Sequence, residues 1–224
     1  MSYKRSQLET ALTRLFNPGS NEPASELRTR IKRLLELDRN LGRKLRSQDA
    51  EEASFAFFSE EAPGTGADIS FSEYEAFALL NALSIMEHGW PQSFAVSIMR
   101  RVRPDLTKEH ARILRQDPQK LFDPETIREK ARPGDIGVDN TDPVFLTVVS
   151  KGHRAPNDTK TVPECAVCRG LEAVNKFCRQ MSASGWTMWE VATIAHKLRG
   201  ELRKTEPRRR GRVSIPTGRG TKAP

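Results

Sequence analysis

Cationic side chains recur along one predicted helix in a pattern that could bind phosphate groups. The cations follow one another at intervals of four, seven, four and three residues and are Arg28, Lys32, Arg39, Arg43 and Arg46. Such intervals place side chains on one side of a helix, and the other side carries apolar residues such as Leu27 and Ile31. A line of cations neutralises nucleic-acid phosphates, which position a protein without specifying sequence. The other interpretation is the solvated face of an ordinary amphipathic helix.

A second cationic group lies near the end of the sequence, within residues 207–224. Its arginines are Arg208, Arg209, Arg210 and Arg212. This segment has little apolar surface to bury, so we expect it to be disordered. An arginine cluster of this kind suits a phosphate backbone through counterion release and also suits an anionic membrane surface. A tail that only increases solubility is the third interpretation.

Three thiols and a histidine could in principle hold a zinc ion. The ligands would be Cys165, Cys168, Cys178 and His153, with His196 as another choice for the fourth position. No second Cys-x-x-Cys pair or His pair completes the set. We favour a different interpretation, in which the three cysteines form one buried stripe of a helix that begins near Glu164. We therefore expect no metal and no other cofactor.

Catalytic chemistry has few candidate residues. None of the four histidines lies in a known catalytic motif, and no glycine-rich loop follows a strand. The combination closest to a nuclease site is Asp135, Asp139, Asp142 and Lys151. Aspartates in such turn-rich stretches usually bond to nearby backbone instead. We expect that the chain is not an enzyme.

The net charge of +8 is unevenly distributed. Residues 1–46 have a net charge of +6, residues 47–87 of −9, residues 88–196 of +3 and residues 197–224 of +8. Basic regions at both ends favour a nucleic-acid partner. The acidic segment 49–87 supports an alternative, a protein–protein adaptor that docks a basic partner there and an acidic one on the tail. Sequence-independent RNA binding through the tail is a third possibility.

Apolar periodicity and capping signals predict the elements that carry these residues. Gly89 should end a buried helix that begins at the capping box Ser72/Glu75, and Pro91 should open the next one. The expected helices are Ser6–Phe16, 25–46, 73–88, one through Phe94, Ile98 and Val102, 107–115, a turn at 118–122, 124–131, 164–182, and one that begins at the capping box Thr187/Glu190. The expected strands are Ser54–Phe58 and Ala67–Ser72, which would form a loose hairpin, and Val144–Val149.

One stretch resembles the MerR family of transcriptional regulators. It reads Ile69-Ser70-Phe71-Ser72-Glu73-Tyr74-Glu75, followed after one helix by His88-Gly89-Trp90. In that family a β-wing leads directly into a helix through an aromatic and acidic pattern. The resemblance covers about residues 67–102 and implies a winged helix-turn-helix fold and DNA binding. The arginine-tyrosine-tyrosine run of the family is missing upstream.

Together these features predict a mainly α fold with a small β component. We expect a winged helix-turn-helix-like helical domain over 1–133, a β-strand and C-terminal helices over 134–206, and the basic tail over 207–224. The expected function is that of a non-enzymatic DNA-binding protein, a transcriptional regulator. No apolar run reaches the roughly 20 residues that cross a bilayer, and the first residues are not a signal peptide, so we expect a cytoplasmic protein without a membrane partner. The sequence leaves the oligomeric state open.

Overall fold

The computed structural model describes residues 1–64, 69–131, 136–150 and 163–206, with Ser150 described in its backbone only. This part of the chain is mainly helical with a small sheet component. The helices are α1 Arg5–Phe16, α2 Ser25–Leu41, α3 Ala50–Ala53, α4 Glu73–Glu87, α5 Gln92–Ile113, α6 Pro118–Leu121, α7 Pro124–Lys130, α8 Gly170–Gln180 and α9 Ala192–Lys204. The strands are β1 Ser2–Lys4, β2 Ser70–Ser72, β3 Val144–Ser150, β4 Glu164–Arg169 and β5 Gly185–Glu190. Within the described ranges, no helix has the length and apolar character that a membrane crossing requires.

Helix α4 is the centre of the fold. Its start is confirmed as a capping box, because the Ser72 hydroxyl accepts from the Glu75 backbone N–H at 3.2 Å and the Glu75 carboxylate accepts from the Ser72 N–H at 2.6 Å. Ten of its fifteen residues are buried, so it is covered on nearly every side. Gly89 follows the helix with φ +85°, a conformation that favours glycine, and Pro91 precedes α5.

Helix α5 is longer than expected. We predicted a break after Val102 and a separate piece from Thr107, but one helix of 22 residues runs through Pro104. A proline removes one helical hydrogen bond, yet residues on both sides of it, such as Ile98 and Leu106, are fully buried. Burial along the whole length therefore outweighs the local cost of the proline.

The expected hairpin is wrong. Strand β2 pairs antiparallel with β1, with Tyr3 opposite Phe71, and residues 54–58 are not a strand. The backbone N–H groups of Ala56 and Phe57 donate instead to the buried carboxylate of Asp38, each at 3.0 Å. A side chain thus satisfies the donors that a strand partner would have satisfied. The winged arrangement is consequently not formed by the described residues 54–58 and 69–72.

The C-terminal part contains more β-structure than expected. The strand at 144–149 is confirmed as β3, which lies between β4 and β5 in an antiparallel sheet. The helix predicted over 164–182 is wrong in its first part, because residues 164–169 form β4 and α8 begins at Gly170. The capping box at Thr187/Glu190 is also wrong, since both residues belong to β5. Strand β3 is apolar and buried, so it needs a hydrogen-bonding neighbour on each side.

A continuous hydrophobic core joins the helices to this sheet. Val144, Leu146 and Val148 on one face of β3 belong to the same buried cluster as α4 and α5. Helix α8 covers the opposite face, around Phe145 and Cys168. Residue 133, where we placed a domain boundary, lies outside the described residues. The expected tail, 207–224, lies outside the described residues.

Candidate nucleic-acid interface

The cationic helix of the sequence analysis is α2, and it ends earlier than predicted. It stops at Leu41 because Gly42 adopts φ +62°, which interrupts the helical backbone. Ile31, Leu34, Leu35 and Asp38 face the core. Arg43 and Arg46 therefore project from the loop after the helix rather than from its face, which corrects the predicted helical range 25–46.

A buried ion pair fixes where that loop leaves the helix. Asp38 is completely buried, and Arg100 of α5 donates from Nε to its Oδ1 at 2.7 Å. The same guanidinium donates to the backbone carbonyls of Asp38, Gly42 and Glu51. Because these groups satisfy one another in the interior, the path of residues 42–58 is tightly specified. The sequence analysis missed this pair, although a carboxylate within the apolar stripe of α2 signals the need for a buried cationic partner.

The predicted cations differ in how far they are already neutralised. The Arg28 side chain is 49% exposed with Nε 3.4 Å from Glu9 Oε2, and the Lys32 side chain is 63% exposed with Nζ 3.6 Å from Glu36 Oε1. The exposed pair of Lys32 and Glu36 is weak at this length, whereas Glu9 is buried and also pairs with Arg5, whose Nε lies 2.8 Å from Oε1. Arg39 is half-buried, and its Nε has no hydrogen-bond partner among the residues that the structure describes. The Arg43 guanidinium lies over the Phe55 ring, 5.4 Å from its centroid.

Arg46 is the most available of these cations. Its side chain is exposed and forms no ion pair with any other described residue. The stretch 39–46 contains four cations and no carboxylate. Within this stretch, Lys44 Nζ donates to Glu52 Oε1 at 2.8 Å. This end of α2 is therefore strongly positive.

The other end of α2 lies close to the point where the C-terminal segment begins. Arg5 of α1 donates from Nη2 to the Arg28 carbonyl at 3.5 Å, and Gln7 Nε2 donates to the Thr205 carbonyl at 2.7 Å. The first residues of α1 thus contact both α2 and the end of α9. Arg5 adds a cation that the sequence analysis did not include. Arg208, Arg209, Arg210 and Arg212 follow Thr205 within a few residues but lie outside the described part.

We define the basic strip as the cations that run from α1 along α2 into the following loop. Its members are Arg5, Arg28, Lys32, Arg39, Arg43 and Arg46. At about 1.5 Å per residue, the 17 residues of α2 give the strip a length of roughly 25 Å. That corresponds to about seven base pairs at 3.4 Å each.

Most carboxylates of the acidic segment that the structure describes are occupied within the fold. Glu51 accepts from Arg101, Glu52 from Lys44, Glu87 from Arg30, and Glu73 from Arg199. Burial raises the pKa of Glu73, but the hydrogen bond and charge of Arg199 outweigh it, so this pKa lies below its usual value. Acidic surface for the adaptor alternative therefore remains at Asp49, Glu60 and Glu61, which are exposed and form no ion pair with another described residue.

The cysteines occupy a strand and a helix, which separates them. Cys165 pairs with Val148 and packs towards the helical core, whereas Cys168 pairs with Phe145 on the opposite face of the sheet. Residues three apart in a strand point to opposite faces, so these two thiols do not converge as zinc ligands. The single helical stripe that we expected is likewise wrong. His153 lies outside the described residues, and no cluster of three metal-binding side chains occurs in the rest.

The groups with catalytic potential have structural partners. Burial raises the pKa of the Cys165 thiol to about 12, which suppresses the reactive thiolate. Asp142 accepts from Arg112 and Gln116, and His196 Nε2 lies 3.0 Å from the Ile113 carbonyl. Asp139 is exposed, and Asp135 and Lys151 lie outside the described ranges. These contacts account for Asp142 and His196 without a catalytic role.

The chain was compared with protein-family models, with curated proteins and with solved structures, and none of the three comparisons found a match.

Proposed function

We propose that this protein is a non-enzymatic DNA-binding protein whose basic strip binds the phosphate backbone of a duplex. The observation that carries the proposal is the line of cations from Arg5 of α1 along α2 to Arg46 of the following loop. Transcriptional regulation is part of the proposal through the MerR resemblance. The C-terminal arginines, which follow α9 in the sequence, add further phosphate contacts.

The charge balance of the strip supports this function over a merely solvated face. Lys32 has only a long, exposed ion pair, so a phosphate can replace its carboxylate partner at little cost. Arg28 shares the buried Glu9 carboxylate with Arg5, so this carboxylate keeps a cation when Arg28 binds a phosphate. Arg46 has no partner to lose within the described part. The anchoring of residues 42–58 by Arg100 holds Arg43 and Arg46 in place before binding, which lowers the entropy lost on association.

The proposal is tested by the affinity of the full chain for a mixed-sequence 20-base-pair duplex, measured by fluorescence anisotropy in low salt. We expect the triple variant R28A/K32A/R46A to bind at least tenfold more weakly, because three phosphate contacts are removed. The matched control is K120A/R128A/R179A, which removes the same charge from exposed positions on α6, α7 and α8.

The control variant should bind within about threefold of the natural sequence, since its cations lie outside the strip. Equal losses in both triple variants would mean that only the net charge matters and would overturn the role of the strip. Tighter binding to single-stranded RNA than to the duplex would favour the RNA alternative.

A further inference from the structure

A leucine projects from the most positive end of the basic strip. Leu45 is 72% exposed and stands between Lys44 and Arg46. An exposed leucine is unremarkable by itself. Here, however, cations flank it on both sides in a stretch without a carboxylate.

The backbone around Leu45 is held in place. The Lys44 N–H donates to the Glu52 carbonyl at 2.7 Å, and the Ser47 N–H donates to the Lys44 carbonyl at 2.9 Å. The Gly42 carbonyl accepts from the buried Arg100 guanidinium at 2.8 Å. These bonds fix the backbone on both sides of Leu45, and they leave its side chain exposed.

The surroundings of Leu45 favour a polyanion as that partner. A shallow depression of about 520 Å³ is lined by residues 43–47 and Glu52. Three of these residues are cations, and the single carboxylate is already bonded to Lys44. Proteins that bind the minor groove commonly insert an apolar side chain that is flanked by cations. The cations contact the phosphates, and the apolar side chain separates two base pairs.

We propose that the loop 42–47 enters the minor groove of DNA and that Leu45 inserts between two adjacent base pairs, which bends the duplex. This inference rests on the proposed function. It adds Leu45 as the residue that gives the protein a preference for particular DNA sequences. Unstacking costs least at pyrimidine–purine steps. The protein should therefore bind a duplex with a central TA step about three- to tenfold more tightly than one with a central AA step.

The test measures binding and bending on the same molecule. A 20-base-pair duplex with a central TA step carries a donor and an acceptor dye at its two ends, and the full chain is added to saturation. We expect energy transfer to rise on binding with the natural sequence and to stay at the level of free DNA with L45A. Because Leu45 is mostly exposed, L45A should fold normally, and thermal unfolding checks this. The control is L41A, which removes another exposed leucine that is flanked by Asn40 and Gly42. We expect L41A to bend DNA as the natural sequence does.

The outcomes separate this inference from the proposed function. If the natural sequence gives no anisotropy change with the duplex, both are wrong. If the natural sequence binds the duplex but L45A bends it equally, or if neither protein bends it, the insertion of Leu45 is refuted. The proposed phosphate binding then stands. If L45A instead loses binding to phosphatidylserine vesicles while DNA bending is unchanged, the loop contacts membranes and the inference is equally overturned.

Discussion

Acidification should destabilise the fold through one buried histidine, His110. Its side chain lies in the interior between helices, with the ring stacked on Phe77 at 4.6 Å between centroids and edge-on to Tyr74 at 5.8 Å. Burial lowers the pKa of His110 to about 4, and the charge of Arg199 acts in the same direction. The folded protein therefore holds a neutral imidazole at neutral pH.

The magnitude follows from the difference between the folded and unfolded states. An unfolded histidine has a pKa near 6.5, so between about pH 6.5 and pH 4 the unfolded chain binds a proton that the folded chain does not. The stability is fully present above pH 6.5 and is lost as the pH falls through 4. The total loss is about 3 kcal/mol, of which about 2 kcal/mol should be lost by pH 5.

The assay is urea unfolding at pH 7 and pH 5, with H110L as the comparison. The natural sequence should lose about 2 kcal/mol more of its unfolding free energy than the variant over this interval. The pKa of His196 is also lowered, chiefly by burial, so a smaller loss should remain in H110L. Carboxylates with lowered pKa values, such as Glu109, titrate below this interval. Equal losses in both proteins would refute the assignment to His110.

Two further predictions concern buried groups outside the interface. D38A should lower the unfolding free energy by about 3–5 kcal/mol in urea titrations, because it leaves Arg100 charged and unpaired in the interior. The double variant D38L/R100M should recover much of that loss. A loss below about 1 kcal/mol in D38A would contradict the buried pair. Cys165 should react with a thiol reagent at pH 8 on the order of 10³-fold more slowly in the folded protein than in urea, since its pKa of about 12 leaves little thiolate. Mass spectrometry of the labelled peptides measures the labelling rate. Fast labelling of Cys165 in the folded protein would show that it is accessible.

Local signals predicted α1, α4 and α7 to within one residue at each end. The amphipathic stripe of α1, the capping box before α4 and the glycine after it are each specified within a few residues. Strand β3 was equally recognisable from its run of β-branched and apolar residues. In these elements the local preference and the tertiary packing agree.

The errors arose where a distant partner decided the local structure. Residues 54–58 have the composition of a strand, but Asp38 satisfies the backbone donors of Ala56 and Phe57, which lie 18 and 19 positions later. Residues 164–169 have helical spacing, but β3 needs a hydrogen-bonding neighbour, and that neighbour is β4. The cations of α2 were identifiable by spacing, whereas Arg5 joins them only because α1 crosses α2 beside Arg28.

The most direct test of the central claim is the salt dependence of duplex binding by residues 1–206, which lack the C-terminal arginines. If the basic strip binds phosphates, the logarithm of the association constant should fall against the logarithm of salt concentration with a slope of about −5, since its six cations each contribute roughly −0.9. The variant R28A/K32A/R46A should reduce that slope by about 3. A slope near zero, or no binding at low salt, would contradict the claim that the folded strip binds DNA.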